Sequence, residues 1–367
     1  MIYDFVILGS NKTGMLLNFY IIKNIEGIKT CIIDDDFKKW SNNECLFNQE
    51  IDNTWIFNYF NNDNFFDVSF NHVKCIFKKN IYKIPLQYSR INSKFVFNKI
   101  KAELNCVNGI VTELNEKKIT LENGKIIYSK KIIDCRDNTY NSKAYQIYYG
   151  LKVLNKNHGI TDAVFMDWSQ KKNSYLYSFP INKDILYYKE ICVISKNKKN
   201  IDYNILKNRL LSKIKFEKIL KIDQKCIALY GDFTENYICK YGEKASMVHP
   251  FTGQMTGYMI KNIPSFVLSN FTKLYNNIDL EKSNDLLLKF NNNDLYNFFE
   301  NTFRLDNNDI INMYLNRKNN NNIKIKYFWN SNKKVWLSYK FIKYILYYLF
   351  RFKNFLNFKS KQSYLLK

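Results

Sequence analysis

The stretch Tyr3-Asp4-Phe5-Val6-Ile7-Leu8-Gly9-Ser10-Asn11-Lys12-Thr13-Gly14 decides how this chain is read. Its first half has the length and composition of a buried strand. Gly9 to Gly14 then form a glycine-bounded turn before the apolar helical face Met15, Leu16, Phe19 and Tyr20. A second apolar run, Thr30 to Ile33, ends in Asp34. Strand, turn, helix, strand and terminal acid is the order of a dinucleotide-binding unit, in which phosphates rest on the helix N-terminus and the acid holds a ribose hydroxyl. Gly9 and Gly14 fill the first and third places of Gly-x-Gly-x-x-Gly, but Asn11 fills the second, where a missing Cβ normally admits the pyrophosphate. A parallel strand-helix-strand unit that binds nothing reads the same way.

Outward from this turn the pattern changes several times. Ser41 to Ile84 is polar and aromatic without a clear period, which predicts loops and short elements, whereas Asn92 to Leu104 has a helical apolar side of Phe95, Ile100 and Leu104. Ile110–Glu113, Lys118–Leu121 and Lys125–Ile127 predict an antiparallel meander turned at Asn123-Gly124, and Lys131–Ile133 a buried strand ending in Asp134. Strands dominate from Tyr145 to Ser195, in the pieces Gln146–Val153, Ala163–Trp168, Tyr175–Phe179 and Ile185–Ile194, and Ile201–Leu211 reads as a helix. Ala245-Ser246-Met247-Val248-His249-Pro250-Phe251-Thr252-Gly253 predicts a sharp loop leading into a helix at Met255, and helical patterning continues to the end of the chain. Within that last part, Lys333 to Lys359 interleaves Trp336, Tyr339 and Phe341 with Lys340, Lys343 and Arg351. Such a segment can lie in a lipid interface or pack on its own domain.

Composition narrows the class. At 367 residues with 46% hydrophobic side chains the chain folds around a large core and holds more than one domain. The net charge of +23 would suit nucleic acid, but it is spread along the chain together with Asn, Ile, Phe and Tyr, so no nucleic-acid partner is expected. Eight cysteines without a Cys-x-x-Cys pair or a neighbouring His speak for a reduced compartment and against a structural metal. The chain shows no signal peptide and no apolar run long enough to span a bilayer, so a cytoplasmic location is expected.

Several separated stretches together carry a resemblance. Trp40-Ser41-Asn42-Asn43 is similar to Trp-Pro-Asn-Asn, and Tyr88-Ser89-Arg90-Ile91-Asn92-Ser93-Lys94 to Tyr-Gly-Arg-Val-Asn-Arg-Lys. Tyr145-Gln146, Tyr149-Gly150, Val164-Phe165-Met166-Asp167-Trp168 and Tyr175-Leu176-Tyr177 follow in order, and the stretch from Ala245 to Gly253 is similar to Ala-Gly-Met-Val-His-Pro-Ser-Thr-Gly. From Tyr3 to about Leu315 the chain resembles the plant and cyanobacterial lycopene cyclases, flavoproteins of carotenoid biosynthesis.

The resemblance implies an α/β flavoprotein. An FAD-binding Rossmann-like domain (residues 1–40, 85–144 and 225–275) would join a β-sheet substrate domain (41–84 and 145–224) and a C-terminal helical, membrane-contacting region (276–367). FAD would be held by Gly9, Ser10, Gly14, Asp34, Arg90, Met247, Val248, His249, Thr252 and Gly253, and reduced by NAD(P)H. The implied reaction is an isomerisation at a membrane surface. A carboxylic acid protonates the acyclic end of lycopene or a related carotenoid, the cation closes a six-membered ring, and a ring proton is lost to leave an ionone, β rather than ε.

The family's proton donor is the first Glu of Phe-Leu-Glu-Glu-Thr. Counted without a gap from Pro180, Lys189 falls on that Glu. With one residue inserted in the turn Asn182-Lys183-Asp184, Glu190 takes the place instead. Glu190 is the expected donor and Asp167 the second acid, against plain readings as a surface salt-bridge residue and a strand-end acid. Departures from the family are Asn11, Ser93, Asp134-Cys135-Arg136-Asp137 in place of Asp-Ala-Thr-Gly, and Cys239-Lys240-Tyr241-Gly242. They leave two alternatives open: a decayed homologue with weak or no flavin binding, and another FAD-dependent oxidoreductase of the same fold.

Overall fold

Val6, Ile7 and Leu8 are fully buried in β1 (Ile2–Leu8), the central strand of the first sheet. The computed structural model describes residues 2–271, apart from 39, 41–42, 138–141, 143, 171–172, 196–201, 231–237, 246 and 249–252, together with Tyr296 and Glu300. In the first sheet β8 (Cys106–Asn108), β2 (Thr30–Asp34), β1 and β11 (Ile126–Asp134) lie side by side and parallel, and β17 (Cys239–Lys240) adds in parallel to the end of β11. β10 (Lys118–Leu121) and β9 (Val111–Leu114) complete it as an antiparallel meander on β11. The order third, second, first, fourth is that of a doubly wound dinucleotide-binding sheet.

Helix α1 (Lys12–Asn24) follows the turn and is buried from Thr13 to Ile21, because it lies between this sheet and two further helices, α3 (Ser93–Lys101) and α5 (Thr256–Leu268). Its hydrophobic residues therefore surround it instead of forming one stripe. Trp55 Nε1 and Tyr241 Oη donate to the Ile260 and Met259 carbonyls at 2.8 and 2.9 Å. These bonds fix α5 just before Pro264 removes a backbone donor.

The second sheet runs β16 (Lys218–Ala228), β12 (Ala144–Leu154), β15 (Ile185–Ser195), β14 (Ser174–Asn182), β13 (Ala163–Asp167), β5 (Val73–Ile76) and β6 (Ile81–Ile84). All its neighbours are antiparallel except β13 and β5. One face of β12 and β15, with Tyr145, Ile147, Tyr149, Leu186, Tyr188 and Cys192, packs on α4 (Tyr203–Leu211). The opposite face looks toward the first sheet's turn. A three-stranded sheet of β3 (Cys45–Phe47), β7 (Tyr88–Ile91) and β4 (Phe66–Phe70), with the short helix α2 (Asn62–Phe65), connects the two.

The strands expected between Tyr145 and Ser195 are present, as are the meander and the helices after Asn92 and Asp202. The loops and short elements expected in 41–84 include four short strands, but β16 was not expected, and a domain boundary at 224/225 would cut through it. By its internal contacts the chain separates into residues 1–292 and 293–367. The expected C-terminal region, 276–367, lies outside the described residues except for Tyr296 and Glu300. Among the described residues no helix is long and apolar enough to cross a membrane.

Asp134 closes β11 under the glycine turn. Wholly buried, it accepts from the Arg136 amide (3.0 Å) and guanidinium (2.9 and 2.7 Å) and from Lys244 Nζ (2.8 Å). Burial opposes its ionisation, but Arg136 and Lys244 outweigh that and hold its carboxyl below the usual range. Its contribution is therefore complete above the unfolded-state value of about 3.9 and is lost as pH falls through the lower folded-state value. Asp134→Asn should cost about 1–3 kcal/mol at pH 7. It should also remove part of the acid-induced loss of stability below about pH 4, measured by denaturant midpoints between pH 3 and 7.

Candidate active site

A cavity of about 320 Å³ lies where the α1 N-terminus, the start of α5 and the inner face of the second sheet converge. That is at the small end of ligand sites, about 300–1,000 Å³. Asn11, Lys12 and Thr13 line it from the turn; Gly253, Gln254 and Thr256 from the entry to α5; and Gln146, Tyr148, Tyr177, Lys189 and Lys225 from the sheet. Trp40 Nε1 donates to the Ser10 carbonyl at 3.2 Å and closes one side.

Gly9 has φ +100°, and a Cβ on Gly14 would sit 2.0 Å from the Gly9 carbonyl oxygen, so turn and helix meet at a distance only glycine allows. At the middle position Asn11 caps α1. Its Oδ1 accepts from the Gly14 amide at 3.0 Å, while Nδ2 donates to the Cys135 carbonyl at 2.6 Å and to Asp137 at 3.0 Å. The side chain that replaces the second glycine is thus fastened to the turn and to the end of β11.

Two ion pairs line the cavity, Lys12 with Glu44 and Lys225 with Asp137, and a further carboxylate, Asp223, lies just behind it. Glu44 accepts from Lys12 and from the Thr256 hydroxyl, which joins the first residues of α1 and α5. Burial works against its ionisation, but Lys12 and Thr256 outweigh it and keep the carboxyl below its usual range. Asp223, on β16, accepts from Tyr187 (2.6 Å), Asn43 (3.2 Å) and Tyr148 (3.3 Å). Against the same burial, the Lys189 charge and these bonds keep it low too. Lys225 pairs with Asp137 at 3.0 Å, and Asp137 and Glu243 overcome burial to push its ammonium up to about 12. Two buried polar atoms on the lining, Thr13 Oγ1 and Gln146 Nε2, have no hydrogen-bond partner among the described residues. Such atoms are costly unless a ligand or water meets them.

The expected catalytic pair does not come together here. Glu190 is wholly buried but on the α4 face of β15, where it accepts from Ser174 Oγ at 2.5 Å and from Lys213 Nζ at 2.7 Å. Lys189, its neighbour, faces the cavity, as the gapless count allows and the two-residue period of a strand requires. Asp167 is also absent from the lining and accepts the Ser169 amide at 2.8 Å, the strand-end role.

The expected cofactor residues divide. Asp34 accepts the Ser10 amide at the turn. Burial raises its carboxyl pKa, yet bonds from Asp35 and Ser10 leave it below the usual range. Val248 and Gly253 line the cavity, the latter at φ +66° with room for no Cβ, since one would stand 1.8 Å from Gln146 Oε1. Met247 is in the core, and Arg90 is locked by a two-point bond to Asp67 at 2.7 and 2.9 Å, away from the lining. His249 and Thr252 lie outside the described residues. Sequence reasoning missed Lys12, Glu44, Asp223 and Lys225 as site residues. Lys12 stands inside the glycine turn and Glu44 next to Trp40–Asn43, whereas Asp223 and Lys225 carry no local signal.

The parts fit a dinucleotide cofactor in three respects: the glycine cradle, the acid at the end of β2, and the unpartnered Thr13 and Gln146 atoms. The architecture is that of the FAD-binding Rossmann-like flavoproteins. The chain belongs to the lycopene cyclase protein family, whose family model matches residues 4–268. Among solved structures it is similar to a geranylgeranyl bacteriochlorophyll reductase-like protein from Thermoplasma acidophilum, with 14% identity over 84% of this chain and 89% of that one (TM-score 0.56). It is also similar to a flavoprotein/dehydrogenase from Cytophaga hutchinsonii, with 12% identity over 88% and 96% (TM-score 0.59). A variant of halogenase PltM in complex with FAD matches with 12% identity over 82% and 77% (TM-score 0.55). At such identities the likeness is one of fold.

Glu190→Ala should be strongly destabilising, by about 3–5 kcal/mol, because it strands the buried Lys213 ammonium without its partner. Denaturant titration measures the loss. Glu190→Ala combined with Lys213→Met should recover much of it.

Proposed function

We propose that this protein is a cyclase-like flavoprotein that binds FAD on the β1–α1 turn and a long apolar isoprenoid against the inner face of the second sheet, without closing rings by carboxylic-acid protonation. The first sheet then serves as cofactor domain and the second as substrate domain. Bound FAD, reduced by NAD(P)H, would supply an electron-rich ring beside the cavity. Gly9 and Gly14 would allow its phosphates close to α1, Asp34 would meet the ribose, and Thr13 and Gln146 would give their unpartnered atoms to polar groups.

The observation that carries the reading is the orientation of β15. Protonating an alkene needs a neutral carboxyl in apolar surroundings. Lys189 holds the donor's place, and the carboxylates in and just behind the cavity are engaged: Glu44 with Lys12, Asp137 with Lys225, Glu243 with the Ala228 amide and, behind the wall, Asp223 with Tyr187. An ammonium beside a developing carbocation would oppose it. Two unit charges about 4 Å apart repel by about 4 kcal/mol at an effective dielectric of about 20, enough to slow a step about a thousandfold.

An isoprenoid reaches a protein only from lipid, so the site of action is the cytoplasmic membrane surface, with the basic aromatic stretch of Lys333 to Lys359 as the contact. Expression in a lycopene-accumulating host should leave the pigment open-chain, while the purified protein is yellow with near-stoichiometric flavin absorbance. Cyclised pigment would overturn the loss of acid chemistry, and colourless protein the flavin assignment.

A further inference from the structure

Lys189 and Lys213 stand on opposite faces of one sheet and are treated differently. Lys213 is almost fully covered and pairs with Glu190 at 2.7 Å, as a structural buried lysine does. Lys189 makes no hydrogen bond or ion pair among the described residues. Its Nζ rests on aromatic rings, 4.2 Å from the Tyr148 centroid, 5.3 Å from Tyr187 and 5.9 Å from Tyr177. Its side chain lines the cavity. Burial lowers its pKa, and the charges of Asp223 and Glu44 do not restore it. A larger share of this amine is uncharged, and so nucleophilic, than of a surface lysine.

The charge around it argues against an anionic group bound to Lys189 itself. Lys12, Lys189 and Lys225 face Glu44, Asp137 and Glu243, with Asp223 behind Tyr187 and Tyr148, so carboxylates already outnumber ammonium groups. The lining also carries the apolar and aromatic Phe165, Tyr175, Ile191, Ile227 and Val248, beside the polar Asn43, Gln146 and Gln254. An unpaired amine, a partly apolar wall and a surplus of negative charge suit a reaction that turns the amine into a diffuse cation on an apolar chain.

We propose that Lys189 forms a reversible Schiff base with an apolar aldehyde or ketone held in this cavity. The Nζ lone pair attacks the carbonyl carbon, the carbonyl oxygen takes up protons and leaves as water, and a C=N bond replaces C=O, with no oxidation or reduction. The iminium carries the single positive charge that the ammonium carried, so the balance of the cavity is unchanged. The faces of Tyr148, Tyr187 and Tyr177 hold that cation, and Asp223, kept ionised by its hydrogen bonds, is the counter-ion. The inference rests on the apolar-substrate part of the proposed function and is independent of flavin.

The test is reductive trapping. The full chain is incubated at pH 7 with dodecanal and sodium cyanoborohydride, digested, and its alkylated lysines followed over time by peptide mass spectrometry. Lys189 should be modified several-fold faster than the exposed Lys117, and acetaldehyde, which lacks an apolar chain, should show no such preference. Lys189→Arg should abolish modification at 189 and leave that of Lys117 unchanged. Modification of Lys189 no faster than Lys117, or an equal preference with acetaldehyde, overturns the proposal. Flavin absorbance recorded on the same sample separates the two readings: trapping at Lys189 without flavin removes the flavin assignment alone, and flavin without trapping removes the Schiff base alone.

Discussion

The period of two along β15 is the constraint on which the site depends. Successive side chains of a strand leave opposite faces, so whichever of residues 189 and 190 meets the cavity, the other meets α4. Both faces are buried and each is already specified. Tyr188 and Cys192 pack toward α4 with Glu190, while Ile191 lines the cavity with Lys189. A slip by one position would carry apolar residues out of the helix-facing core and a lysine into it. Pairing with β12 on one side and β14 on the other, Gly150 and Tyr177 both opposite Lys189, fixes the register further.

That constraint reaches the chemistry through electrostatics. Glu44 and Asp223 each have partners that stabilise the charged form, so these two hold fixed charge instead of a proton to give. Of the three described lysines that line the cavity, Lys189 is the one held by aromatic faces without a carboxylate in contact. Two lysines thus meet opposite faces of this sheet: Lys213, from the turn after α4, is paired with Glu190, while Lys189, on β15, rests on aromatic rings.

Much of the architecture was legible in the sequence. The apolar run to Leu8, the turn from Gly9 to Gly14 and the acid at Asp34 define the parallel unit because glycine spacing and hydrophobic period act locally. The strands after Tyr145 were legible for the same reason. β16 was not, since Lys218 to Gln224 is largely exposed and mixes lysines with Ile219, Leu220 and Ile222 without a clear period, and the strand exists because β12 offers it ten residues of edge to pair with, an interaction absent from any local pattern. The site suffered likewise. Glu44 precedes β3 while Asp223 and Lys225 lie on the unread β16, so they meet only in three dimensions, and the Lys189 and Glu190 question turned on whether the Asn182–Asp184 turn had gained a residue, which composition cannot reveal.

Glu44 has a wider consequence. The beginnings of α1 and α5 both present the positive ends of helices, and the carboxylate between them, bound to Lys12 and Thr256, neutralises both. The protein therefore contains its own surrogate for an incoming negative group. Any anion that docks at these helix ends displaces or competes with a tethered carboxylate, so part of its attraction is cancelled in advance, and affinity there must come from shape and apolar contact more than from charge.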